Sequence, residues 1–243
     1  MNLKNNTILI TGGTSGFGYE FASKLVKLDK VKNELPEIHT FQSDVSNSES
    51  IVSLFEKIKI QFPELNFLIN NAGEMRKIAL YDNLINLNDI TKEIEINLMG
   101  PIRMVQQFLP LLMKQESAAI LNVSSGLALI PFPISPIYGA TKSGLHSYTQ
   151  SLRTQLENTS VKVFELLAPG SNTPLNQKFG AMGMDEKMMM DPSKLIDVAI
   201  EGLKNNTYEI YPGISKMLRV MSRLAPKFLL KQMNKAVSKL AHS

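Results

Sequence analysis

Short apolar runs alternate along this chain with stretches whose apolar residues return every three or four positions. The runs predict strands at about 7–11, 38–43, 66–69, 118–123, 161–167 and 207–211. The helical spacing predicts helices at about 17–35, 47–61, 88–114, 137–157, 193–204 and much of 215–240. Pro101 and Pro110 fall inside the third of these, so a kink or an early end is expected there. Strands that alternate with helices imply an α/β fold, a parallel sheet covered on both faces. Phe17, Phe21, Leu25, Leu28, Val31 and Leu35 make one unbroken helical stripe, and Pro36 ends it. A right-handed crossover from that helix would lay strand 38–43 beside the first strand, giving six strands in all.

Chemistry enters at Thr11-Gly12-Gly13-Thr14-Ser15-Gly16-Phe17-Gly18, which follows the first strand and opens the first helix. Glycines there let the chain turn tightly and let a phosphate approach the backbone, at the positive end of the helix dipole. Such a run is weak evidence alone. Three partners strengthen it. Asn70-Asn71-Ala72-Gly73 follows the strand at 66–69, Ser125 lies 13 residues before Tyr138, and Lys142 lies four after Tyr138. The last spacing puts phenol and ammonium on one helix face. The set resembles that of the short-chain dehydrogenase/reductase family, which implies hydride transfer to a carbonyl, and that leaves an alkoxide that needs a proton. A phenol with a pKa near 10 is a poor acid–base at neutral pH unless a nearby cation lowers it. Tyr138 is therefore read as the proton donor or acceptor, Lys142 as its tuner, and Ser125 as a hydrogen-bond donor to the substrate oxygen.

These motifs, in this order over roughly residues 5–212, resemble the short-chain dehydrogenase/reductase family. The stretch Asn70-Asn71-Ala72-Gly73-Glu74 and the tail resemble one bacterial oxidoreductase branch of it. The resemblance implies a three-layer, Rossmann-like, doubly wound parallel sheet. It also implies an NAD(P)-dependent enzyme that moves a hydride between the cofactor and a carbonyl or alcohol, small or apolar. Asn97 matches the family position for a proton-relay water. Gly12, Ser15, Gly16 and Phe17 would line the pyrophosphate, and Asn71, Ala72 and Gly73 the adenosine and its ribose. Lys142 would also hold the nicotinamide ribose, and Pro169-Gly170 would meet the carboxamide. Thr173 follows that proline by four positions, where the family usually has five. A homodimer or homotetramer is implied, with 88–114 and 137–157 pairing across a dimer.

The chain departs from the family between Gly18 and Asp44, which only 25 residues separate. One of the family's usual seven strands has no room there. The shortened segment would bring Ser43 or Asp44 near the adenosine ribose, where a carboxylate favours NAD over NADP. It is equally compatible with a weakened nucleotide site, and hence with a non-catalytic member that keeps the fold as a binding or membrane-surface module.

Composition narrows the setting. The 243 residues include no cysteine, so disulfides and thiolate metal sites are excluded. His39, His146 and His242 have no ligand spacing, which leaves them structural or surface roles and implies no metal. No window has a signal peptide's pattern or a membrane span's length, so a cytoplasmic location is expected. Met182, Met184, Met188, Met189 and Met190 sit in a loop read either as an apolar lid or as filler against the next helix. Phe132, Ile134 and Ile137 could wall the same pocket. Residues 1–212 are read as one catalytic domain and 213–243 as a helical extension. That extension carries seven basic and no acidic residues, against 19 basic and 22 acidic elsewhere. It reads as a cationic amphipathic helix interrupted at Pro226, suited to an anionic membrane or to packing on the core or a second subunit. With Phe228 its one aromatic, nucleic acid is not an expected partner.

Overall fold

The structure, a computed structural model, describes residues 1–29, 38–81, 85–177 and 189–241. Five parallel strands form its sheet in the order β1 (Thr7–Ile10), β2 (Leu65–Asn70), β3 (Ala118–Ser125), β4 (Val161–Ala168) and β5 (Glu209–Ile210). Register runs Ile8 to Phe67, Ile69 to Leu121, Leu121 to Phe164 and Leu166 to Ile210. β3 is buried at every position, as a strand covered on both faces must be.

Helices cover both faces. On one side α1 (Gly16–Asp29) and α5 (Pro192–Lys204) pack together, with Phe21, Leu25, Leu195 and Leu203 set against Phe67, Leu121 and Phe164. On the other lie α2 (Ser48–Gln61), α3 (Gly100–Leu112) and α4 (Pro136–Gln155), whose Leu54, Phe108 and Leu152 meet Leu68, Ile120 and Val163. Each fully buried side chain of this kind stabilises the fold by about 1.5–3 kcal/mol. Local signals set the helix ends. The Asn47 and Asp191 side chains accept from Ser50 N and Lys194 N to cap α2 and α5, and Pro136 and Pro192 occupy first turns.

The expectation of a sixth strand needs correction. Among the described residues, 38–43 joins no ladder, so the sheet has five strands rather than six and β1 has no partner on its outer side. This segment is held by side chains instead. His39 and Phe41 lie against Phe62, and Ser43 Oγ is 3.1 Å from Ser50 Oγ. The helix expected over 17–35 is described to Asp29, and its remainder lies outside the described residues. The helical stretch over 88–114, in which a kink or early end was expected, is interrupted: Leu87–Ile90, Lys92–Ile94, a π-helical turn at Glu95–Met99, and α3. Pro101 explains the π turn, since it has no N–H to offer the carbonyl of Asn97 four residues earlier. Pro110 is accommodated inside α3. The tail divides where expected, into α6 (Ser215–Leu224) and α7 (Pro226–Ala241). No helix among the described residues is long and apolar enough to cross a membrane.

Candidate active site

The glycine-rich turn is built at the carboxyl end of β1. Gly12 and Gly16 take φ values of +64° and +53°, the left-handed region that glycine adopts without strain. Thr11 Oγ1 accepts hydrogen bonds from Asn71 N and Ala72 N, both at 3.0 Å. Asn71 Nδ2 donates back to Thr11 O at 3.1 Å and Gly12 O at 3.2 Å. The turns after β1 and β2 are thus laced together at the end of the sheet where α/β folds place their ligands.

α4 presents Tyr138, Lys142, His146 and Gln150 at four-residue intervals along one row. Tyr138 and Lys142 are both buried, 6 % and 4 % exposed. The Lys142 ammonium donates to Val123 O at 2.9 Å and lies 5.6 Å from the centre of the Tyr138 ring. Ser125, at the end of β3, accepts from Leu127 N at 3.1 Å and so starts a short turn.

The electrostatics differ from the sequence expectation. Burial pushes the Tyr138 phenol up to about 12, a Ser125 hydrogen bond partly offsets this, and the Glu93 carboxylate raises it further. The phenol is not made acidic by Lys142, because its own desolvation outweighs any help from the ammonium. Burial lowers Lys142 to about 8, opposed by the negative charge of Glu165.

Two buried carboxylates therefore matter that the motifs did not point to. Glu93 is fully buried, accepts from Arg76 N at 3.0 Å, and is raised above the ordinary carboxylate range by burial. Glu165, also fully buried, holds His146 Nδ1 at 2.7 Å, and that contact raises the imidazole. The signal for His146 was present as the next member of the row begun by Tyr138 and Lys142.

Asn97 is fully buried in the π turn. Its Oδ1 accepts from Glu74 N at 2.8 Å, and its Nδ2 donates to Glu74 O at 2.7 Å and Thr141 Oγ1 at 3.3 Å. The side chain is spent on fixing the strand exit.

One cavity of about 460 Å³ gathers most of the predicted residues. Gly12, Ser15, Gly16, Phe17, Asn71, Ala72 and Gly73 line it, with Ser125, Tyr138, Lys142, Pro169, Gly170 and Thr173. Asn97 stands just behind, its Oδ1 3.3 Å from where a Cβ on Gly73 would be. Asp44 is not among the lining residues. Its carboxylate accepts from Ser46 N at 2.9 Å and Ser46 Oγ at 2.7 Å, which lowers its pKa, and it borders a separate hollow with Gln42, Ser43, Ser50 and Lys57. Among the described residues, no acidic residue lines the main cavity.

The rest of the wall is apolar. Met75, Leu127, Ile130, Leu175, Ile214, Leu218 and Met233 supply it. Phe132 and Ile134 lie behind this surface, packed around Tyr138, and Ile137 is not part of the lining. Met190 packs on the core and bridges to Ser171, the filler role, whereas Met182, Met184 and Met188 lie outside the described residues. The contribution of Ile214, Leu218 and Met233 was not legible, because amphipathic spacing shows that a helix has an apolar face but not what that face meets.

Comparison with known proteins agrees with this geometry. Residues 6–183 match the model of the short chain dehydrogenase family. The uncharacterized oxidoreductase DltE of Bacillus subtilis (strain 168) is 37 % identical over 248 residues, covering 96 % of this chain and 98 % of that protein. An uncharacterized oxidoreductase of Staphylococcus epidermidis is 26 % identical over 216 residues, 83 % of this chain and 92 % of that one. Among solved structures, a short chain dehydrogenase from Burkholderia cenocepacia in complex with NADP superposes with a TM-score of 0.82 at 21 % identity, covering 96 % of this chain and 99 % of that one. A Burkholderia phymatum relative in complex with NAD gives 0.77 at 22 % identity, covering 90 % and 93 %.

Proposed function

The chain belongs to the short-chain dehydrogenase/reductase family of oxidoreductases, and from that premise we propose that it catalyses NAD(P)-dependent interconversion of a carbonyl and an alcohol. One observation carries the reading. The glycine-rich turn and the Ser125–Tyr138–Lys142 set line a single cavity. The residues fit a nicotinamide dinucleotide. Gly12 and Gly16 leave the turn bare of side chains, and the free N–H groups of α1 begin there. NADP in one structural relative and NAD in another support the cofactor class. The expected preference for NAD rested on Asp44, and with that residue outside the cavity lining we keep both forms.

Bound there, the reduced cofactor supplies the two electrons and the hydrogen that turn a carbonyl carbon into an alkoxide. This chain's residues do the rest. The Ser125 hydroxyl donates to the substrate oxygen and steadies its developing charge. The Tyr138 phenol, kept protonated by burial, gives that oxygen its proton. Lys142 carries the positive charge that stabilises the phenolate left behind, and would hold the nicotinamide ribose. A water relay at Asn97 would use its main-chain carbonyl, because its side chain is committed to Glu74 and Thr141. The non-catalytic alternative rests on the shortened segment after Gly18. Three converging catalytic side chains favour the enzyme.

The direct test is a fluorescence titration of the purified protein with NADH and with NADPH. Saturable quenching or a shift with at least one of them is expected, and binding of neither overturns the reading. A pH dependence follows from the site. Lys142 must be protonated to serve the phenolate, so carbonyl reduction should decline as pH rises through about 8. Glu165→Gln removes the charge that raises Lys142, so the decline should move to lower pH. A profile unchanged by that substitution would separate Glu165 from the catalytic ammonium.

A further inference from the structure

The two tail helices have two distinct faces. Inwardly, Ser215 is fully buried and Leu218 Cδ1 would come within 3.2 Å of a Cβ on Gly126. Ile214, Leu218 and Met233 close the apolar end of the cavity, and Met233 packs on the cluster of Met75, Phe132 and Tyr138. Outwardly, Met217, Val220 and Leu224 repeat at helical spacing along α6 and are 51 %, 52 % and 76 % exposed. Phe228 continues the surface on α7 at 53 %. Lys216, Arg223, Lys227 and Lys231 are exposed on the same two helices. Arg219 is engaged elsewhere, 3.6 Å from Glu209 and stacked on Tyr211.

We propose that α6 and α7 form a docking lid for an anionic lipid surface, through which a carbonyl carried on an apolar chain reaches the cavity. The occupant is argued from charge. An apolar stripe among cations, in a segment with no acidic residue, matches the boundary between anionic headgroups and acyl chains. A second copy of this chain pairing symmetrically through the same face would set those cations against themselves. The elements that meet the bilayer also form the cavity wall, so docking changes access to the site rather than merely tethering it. The substrate half of this proposal rests on the oxidoreductase reading, and the docking half does not.

The full chain should co-sediment with vesicles containing phosphatidylglycerol and not with pure phosphatidylcholine, and salt should weaken the binding. Val220→Glu with Leu224→Glu charges the outer stripe without touching the cavity lining. This variant should lose vesicle binding by about tenfold or more, the shift expected when two apolar anchors become anions facing an anionic surface. It should keep its melting temperature and its rate on a short water-soluble aldehyde. Reduction of a long-chain aldehyde held in anionic vesicles should fall in the variant and not in the parent. Absence of parent binding to anionic vesicles overturns the proposal, as does unchanged binding by the variant. So does a parent dimer that the variant dissolves, seen by sedimentation velocity, with neither form binding vesicles. Vesicle binding without binding of either reduced nicotinamide would instead count against the oxidoreductase reading alone.

Discussion

Tyr138→Phe is expected to lower the rate of carbonyl reduction by about a thousandfold, within the 10²–10⁴ range for a positioned acid–base group. That corresponds to about 4 kcal/mol of barrier. The ring is buried among Met75, Phe132 and Met233, and all of that packing survives the loss of one oxygen. Melting temperature and nicotinamide affinity should therefore change little, while turnover collapses. Steady-state kinetics on a simple aldehyde, beside an NADH titration of the same preparation, would show the split. A variant that keeps a tenth of the parent rate would remove Tyr138 from the chemistry. Equal losses of cofactor binding and turnover would make it a structural residue instead.

Gly18→Ala should give the largest loss of stability among single-methyl changes in the glycine-rich turn. A Cβ at Gly18 would lie 2.2 Å from Gly12 O and 2.7 Å from Asn71 Nδ2, so the backbone of the turn must move. Overpacking of this kind costs about 1–3 kcal/mol, and a rigid backbone oxygen as the obstacle places this case near the top. For a chain of this size that is a drop of about 6–12 °C in melting midpoint. Nicotinamide affinity should fall with it, because the displaced atoms border the cavity. Gly13→Ala is the control. Its φ is not in the left-handed region, and the nearest atom to an added Cβ is Ile10 O at an ordinary 3.6 Å. Thermal melts that show equal effects at the two positions would refute this account of the turn.

The motifs made the centre of the site legible because short-range geometry ties them to it. A strand, a glycine turn and a helix leave few ways to arrange Gly12, Gly16 and Phe17. A four-residue spacing on one helix fixes Tyr138 relative to Lys142. What escaped the sequence depends on contacts between distant segments. The segment 38–43 contains strand-favouring Ile38, Thr40 and Phe41, but whether it pairs depends on a neighbour, and Phe41 and His39 find Phe62 instead. Asn97 was legible as a position, but not as a side chain committed to Glu74, 23 residues earlier in the chain. The ammonium was expected to acidify the phenol. The structure buries both groups, and desolvation of the phenol raises it instead. Glu165 carries no motif, and its effect on Lys142 comes from its place inside the sheet.

The family match ends at residue 183, whereas Ile214, Leu218, Gln232 and Met233 in the cavity wall all come later. The residues proposed as proton donor and nucleotide turn thus sit in one stretch of sequence, and part of the cavity wall beside them sits in another. On the proposed reading, substitutions at Ile214 and Leu218 would reshape the apolar end of the cavity while leaving the glycine-rich turn and α4 in place. In a lineage or a laboratory library, that is where new substrate range would be gained at least risk to the reaction itself.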